Sequence, residues 1–97
     1  MPRAYWIAHV DVHDPQAYEA YRAANAEAFA RYGARFIVRG GAQEQREGTT
    51  RARTVVVEFD SIELARACYD SPEYRRALAL RQPASTADLV IVEGPDI

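Results

Sequence analysis

Three segments of the chain carry apolar side chains on both faces of an extended strand: AYWIAHVDV at Ala4–Val12, TVVVEF within Arg53–Phe59, and DLVIVE at Asp88–Glu93. Successive side chains of a strand point to opposite faces, so a sheet built from these segments has two faces that both need cover. The connecting segments supply helices. Asp14-Pro15 offers an N-cap followed by proline at the first helical position, and Tyr18, Tyr21, Asn25, Ala28, Phe29 and Tyr32 recur at three and four before the stop at Gly33. A second strand alternates from Arg35 through Phe36, Ile37 and Val38 to Arg39. The glycine pair Gly40-Gly41 predicts a β-bulge or bend at its end, with a polar continuation to Glu47. Gly48-Thr49-Thr50 provides a turn into the third strand, making the two a hairpin. Asp60 and Ser61 cap a short helix through Tyr69, and Ser71-Pro72-Glu73 restarts helix, with Tyr74, Ala77, Leu78 and Arg81 on one face until Pro83.

The order βαββαβ, with its second helix split, predicts an α+β ferredoxin-like fold with a four-stranded antiparallel sheet in the order 4-1-3-2. The length of 97 residues predicts a single domain over 1–97. Its helices can cover one sheet face only. A second copy packed sheet against sheet is the simplest cover for the other, giving a homodimer.

Composition narrows the partners. A net charge of -2 gives no long-range attraction to nucleic acid or anionic lipid, and neither is expected as a partner. The apolar run at the N-terminus is broken at His9 and Asp11, far short of the roughly 20 residues of a membrane span. Cys68 is the one cysteine, which excludes an intrachain disulfide and suits a reducing cytoplasm. Every one of the 12 cationic side chains is arginine, so no lysine is present to form a Schiff base or serve a phosphate loop. Nucleophile elbow, dinucleotide fingerprint and zinc-finger spacings are also absent.

Tyr32-Gly33-Ala34-Arg35-Phe36-Ile37-Val38-Arg39-Gly40-Gly41, Tyr69-Asp70-Ser71-Pro72-Glu73-Tyr74 and Ala79-Leu80-Arg81-Gln82, between AYWIA at the front and ADLVIVEG at the end, resemble the bacterial "domain of unknown function 1330" family. The resemblance implies a dimeric α/β-barrel of ferredoxin-like protomers, with no reaction attached. By architecture it also implies kinship with cofactor-independent monooxygenases of antibiotic biosynthesis and small lactone isomerases, which bind compact organic molecules between sheet and helices. Folds of this kind host many activities.

Several residues are candidates for a site. His9, Asp11 and His13 share a strand face, but positions two apart are roughly 6.5 to 7 Å from each other, which argues against convergence on a metal. No metal and no cofactor are expected. His9 has the intrinsic pKa of a general base near neutrality, and Glu58 on a central strand must be paired, hydrated or protonated. Arg39, re-aimed by a bulge, could hold a carboxylate or enolate oxygen, or else an ion pair. Asn25 interrupts the apolar stripe of the first helix and requires partners from backbone, water or ligand. Tyr18, Tyr21, Tyr32, Tyr69 and Tyr74 offer apolar walls with polar tips, or simply core. Cys68 is expected as buried filler.

Together these residues predict a cytoplasmic homodimer that binds a small, partly apolar organic molecule between sheet and helices, with Asn25, Arg39, Tyr69 and Tyr74 as ligand-binding candidates. In an enzymatic alternative, His9 or Glu58 moves a proton while Arg39 holds the developing oxyanion, giving isomerisation or cofactor-free oxygenation. A ligand-free interaction dimer is the third expectation.

Overall fold

The structure is a computed structural model that describes residues 2–96. Strands β1 (Ala4–Val12), β2 (Arg35–Arg39), β3 (Arg53–Phe59) and β4 (Ser85–Glu93) alternate with helices α1 (Pro15–Tyr32), α2 (Ile62–Asp70) and α3 (Pro72–Ala84) in the order βαββαβ, with α2 and α3 as the two halves of the split second helix. The sheet is antiparallel throughout, in the order β2-β3-β1-β4, as the alternating pattern predicts. Sheet and helices form two layers only 17 Å deep in the thinnest direction, so among the described residues no helix covers the second face of the sheet.

The helix ends follow local chemistry. The Asp14 side chain accepts the Ala17 N–H at 3.2 Å at the start of α1, and Gly33, at φ +67°, ends it with its own N–H on the Phe29 carbonyl. Between α2 and α3 one hydroxyl serves both ends: Ser71 Oγ donates to the Cys68 carbonyl at 2.7 Å and accepts the Tyr74 N–H at 3.1 Å. Two boundaries differ from the sequence expectation. Pro83 sits inside the last turn of α3, and the helix runs to Ala84 because that residue's carbonyl is held by the N–H groups of His13 and Asp14, at 2.8 and 3.1 Å. The same tie brings the chain directly alongside β1, so β4 begins at Ser85 rather than Asp88.

Of the bulge or bend expected at the glycine pair, the bend is present at Gly40, and the bulge lies elsewhere. Phe36 pairs with Val57 and Val38 with Val56, which leaves Ile37 as the extra residue, upstream of the glycine pair. After this register break Phe36 and Arg39, three apart, come to the helix-covered side, and Val38 turns to the open side. Gly40 answers a different constraint. At φ +70° it donates to the Thr54 carbonyl at 2.9 Å, and a Cβ there would collide with the Arg53 guanidinium. The segment from Gly40 to Ala52 is a long connection and not a continued strand, tied back by Gln43 to Arg51 O and Thr54 Oγ1.

Trp6 organises the core. Its ring meets Phe29, Phe59, Tyr69 and Tyr74 at centroid distances of 5.4, 5.2, 5.6 and 4.8 Å, and its indole N–H donates to the Ala65 carbonyl at 2.9 Å. On the open face of the sheet the register aligns Val38, Val56, Ile7 and Val90 in one row across all four strands. Charged clusters flank that row: Arg3, Arg35, Glu58 and Asp60 on one side, Asp11, Arg51 and Asp88 on the other.

Candidate functional site

The helix-covered face of the sheet is filled unevenly, because β1 presents Trp6 and then Ala8 along it. The row through Trp6, with Phe36, Val57 and Ile91, is bulky, whereas the next row holds Val55, Ala8 and Leu89 and lies lower. Above the low row α1 contributes Tyr18, Tyr21, Arg22 and Asn25, and α3 contributes Arg81. The result is a small cleft between sheet and helices, open at its mouth. Its floor is apolar and its walls are aromatic, the composition of a small-molecule site.

Four arginines border this cleft, namely Arg22, Arg39, Arg53 and Arg81, and among the described residues no aspartate, glutamate or histidine joins them. Arg81 is 8 % exposed, and among the described residues the buried Nε groups of Arg22, Arg53 and Arg81 have no hydrogen-bond partner. Aromatic faces take up part of the charge: the guanidinium carbon of Arg39 lies 4.0 Å from the Phe36 centroid, that of Arg53 5.5 Å from Tyr18, and that of Arg81 5.7 Å from Tyr21. Arg22 alone reaches a carboxylate, pairing with Glu19 at 2.6 Å through one terminal nitrogen.

Of the candidates drawn from the sequence, Asn25 and Arg39 border the cleft, and Asn25 is only 3 % exposed. Tyr74 lies behind the wall, fully buried, with its hydroxyl 2.8 Å from that of Tyr21, which does face the cleft. Burial pushes both phenols well above the ordinary tyrosine range, so they are neutral hydrogen-bonding groups at physiological pH. Tyr69 packs on Trp6 and Tyr74 in the core and does not border the cleft.

His9 and Glu58 face the open side of the sheet, opposite the cleft. The His9 Nδ1 is 3.1 Å from Thr54 Oγ1. Glu58 accepts from Arg35 Nε at 2.9 Å and from Arg3 at 3.0 Å, and the Arg35 contact first of all holds its carboxyl below the usual glutamate range. His13 bonds Thr86 at 2.6 Å, while Asp11 takes the Ala52 N–H and pairs with Arg51. The members of the HxDxH string therefore point to separate partners, and among the described residues no three His, Cys, Asp or Glu side chains gather to hold a metal. Cys68 is buried, and burial raises its thiol to about 12, far from reactivity at neutral pH.

Sequence reasoning missed Arg22, Arg53 and Arg81 as site residues. The signal was present for two of them. Arg81 continues the stripe of Tyr74, Ala77 and Leu78 on α3, and Arg53 is in phase with Val55, Val57 and Phe59 on β3, so both are cations on otherwise apolar faces.

Residues 3–95 match the family described as "Domain of unknown function (DUF1330)". No curated protein matches the chain. Among solved structures, a protein of unknown function from Rhodopseudomonas palustris aligns with a TM-score of 0.77 at 19 % identity, covering 99 % of this chain and 85 % of that one. SnoaB, a cofactor-independent oxygenase from Streptomyces nogalater, aligns at 0.67 with 16 % identity over 100 % of this chain and 97 % of its own. A dimeric ferredoxin-like protein of unknown function from Thermobifida fusca aligns at 0.61 with 23 % identity, over 96 % and 90 %. At these identities the likeness concerns the fold.

Proposed function

The chain belongs to the DUF1330 family, and we propose that it is a homodimeric small-molecule-binding protein that takes a compact, partly apolar organic ligand in the cleft between sheet and helices. The cleft itself carries this proposal. Protein interiors close to crystal-like density, yet here the low row at Ala8 keeps an apolar floor open to solvent under the buried amide of Asn25. Binding is favoured over proton transfer because neither His9 nor Glu58 borders the cleft, and the groups that do are arginines, tyrosines and one amide. Cofactor-free oxygenation of the kind named for SnoaB remains a property of that protein.

The dimer rests on the open sheet face. Val38, Val90 and Val92 are exposed there, Val90 at 55 %, around a row that crosses all four strands. Two such faces are self-complementary under a two-fold axis, apolar row on apolar row. A neighbour described as dimeric shares the fold, which supports a dimer here.

A thermal-shift panel of small organic molecules tests the ligand proposal. A ligand present at one hundred times its Kd stabilises the folded state by about 2.7 kcal/mol, a shift of many degrees for a chain of this size. At least one compound is expected to do so. A panel without a single shift would leave a ligand-free dimer as the better account.

A further inference from the structure

We propose that the ligand of this cleft is an organic anion, a compact apolar body carrying one carboxylate, with Arg81 as the principal anchor and Arg39 and Arg53 beside it. This rests on the cleft being a ligand site and adds the chemical class of what it holds. The motive is a charge imbalance confined to one place. Most arginines of the chain hold a carboxylate; among the described residues those without an ion pair are Arg39, Arg53, Arg66 and Arg81. Three of those four line the cleft, where no acidic side chain accompanies them.

Burying a guanidinium without an anion is costly, because a charge withdrawn from water needs a counter-charge and its N–H groups need acceptors. Arg81 is more than nine-tenths buried and borders the cleft with its Nε unsatisfied. The Tyr21 ring beside it offsets some charge and the neutral Tyr74 hydroxyl accepts from the guanidinium, but neither supplies a counter-charge or satisfies Nε. Arg53, partly buried beside Tyr18, likewise has an unsatisfied Nε, and Gly40 leaves the space that its guanidinium occupies. A carboxylate among these donors would satisfy several of them at once, since the guanidinium fork matches a carboxylate in two parallel hydrogen bonds. Val55, Ala8 and Leu89 below would take the apolar body, which a free inorganic anion does not have.

Isothermal titration at neutral pH with three probes tests the assignment: 1-naphthoate, its neutral isostere 1-naphthalenemethanol, and inorganic phosphate. Naphthoate is expected to bind the native protein at least about tenfold more tightly than the alcohol and more tightly than phosphate, with affinity falling as salt rises. Arg81→Met keeps the bulk of the side chain and removes its charge, and it is expected to abolish the preference for acid over alcohol. Its ligand-free Tm is expected to be unchanged or higher, because an unpaired buried cation is lost; a purely structural Arg81 would lower it. Should that variant fail to fold, Arg53→Met is expected to reduce the preference in the same direction. Equal binding of naphthoate and alcohol would overturn the anion assignment and leave the cleft as a ligand site. Phosphate binding as tightly as naphthoate would overturn the amphipathic class. Binding of none of the three would remove both the assignment and the site.

Discussion

Ser71 shows how little chemistry the joint between α2 and α3 needs. Its hydroxyl donates to the last turn of one helix and accepts from the first turn of the next, and Pro72 and Glu73 complete a favourable start. Ser71→Ala removes both bonds at a 3 % exposed position, so a loss of about 1–2 kcal/mol is expected in urea unfolding. Ser71→Asp, which can still accept at the cap, should recover part of it. At Glu58 the expectation concerns pH. Its carboxyl is held below the ordinary 4.5, chiefly by the Arg35 hydrogen bond, so the native state binds its proton less readily than the unfolded chain does. The stabilisation is therefore fully present above the ordinary carboxylate range and is lost as pH falls through it and below. Glu58→Gln should lower Tm at pH 7 and flatten the acid side of a Tm-against-pH curve, and an unchanged acid limb would show that the Arg35 pair contributes nothing there.

At the level of elements, the cleft is a consequence of which residue follows Trp6 on the same strand face. Leucine in place of Ala8 would rise from the low row into the space between Val55 and Leu89. Because that space is open, the substitution adds apolar contact with little strain, and Tm is expected to hold or rise while ligand-induced thermal shifts disappear. A variant that still binds would move the site elsewhere. The same elements mark what can be read from sequence. Strand order, helix caps and the break at Ser71-Pro72 are legible because period, proline and capping residues are local signals. The face of His9 is not, because β1 is apolar on both sides and its pattern alone gives no direction. The bulge falls at Ile37 and not at Gly40-Gly41 because its position is set by the pairing of β2 with β3, a non-local signal that two adjacent glycines outweigh in the sequence. Arg81 is visible as a cation on an apolar stripe, but that no carboxylate among the described residues reaches it is a property of the assembled fold.

The whole molecule is two layers where its hydrophobic pattern asks for three. In the proposed dimer Val38, Val56, Ile7 and Val90 of one protomer meet their symmetry copies, and the clusters at Glu58 and Asp88 lie at the rim. Native protein is then expected to sediment at twice the 10.9 kDa chain mass at low micromolar concentration. Ile7→Glu puts a carboxylate at the centre of this row, where two copies would bring like charges together in a desolvated contact but a lone protomer leaves the group in water. It should therefore sediment at the mass of one chain while retaining a native far-ultraviolet circular dichroism spectrum, with a lower, concentration-independent Tm. A native protein that is already monomeric, folded and indifferent to concentration would show that the open face is tolerated in water, and would return the apolar row to the class of surfaces awaiting another partner.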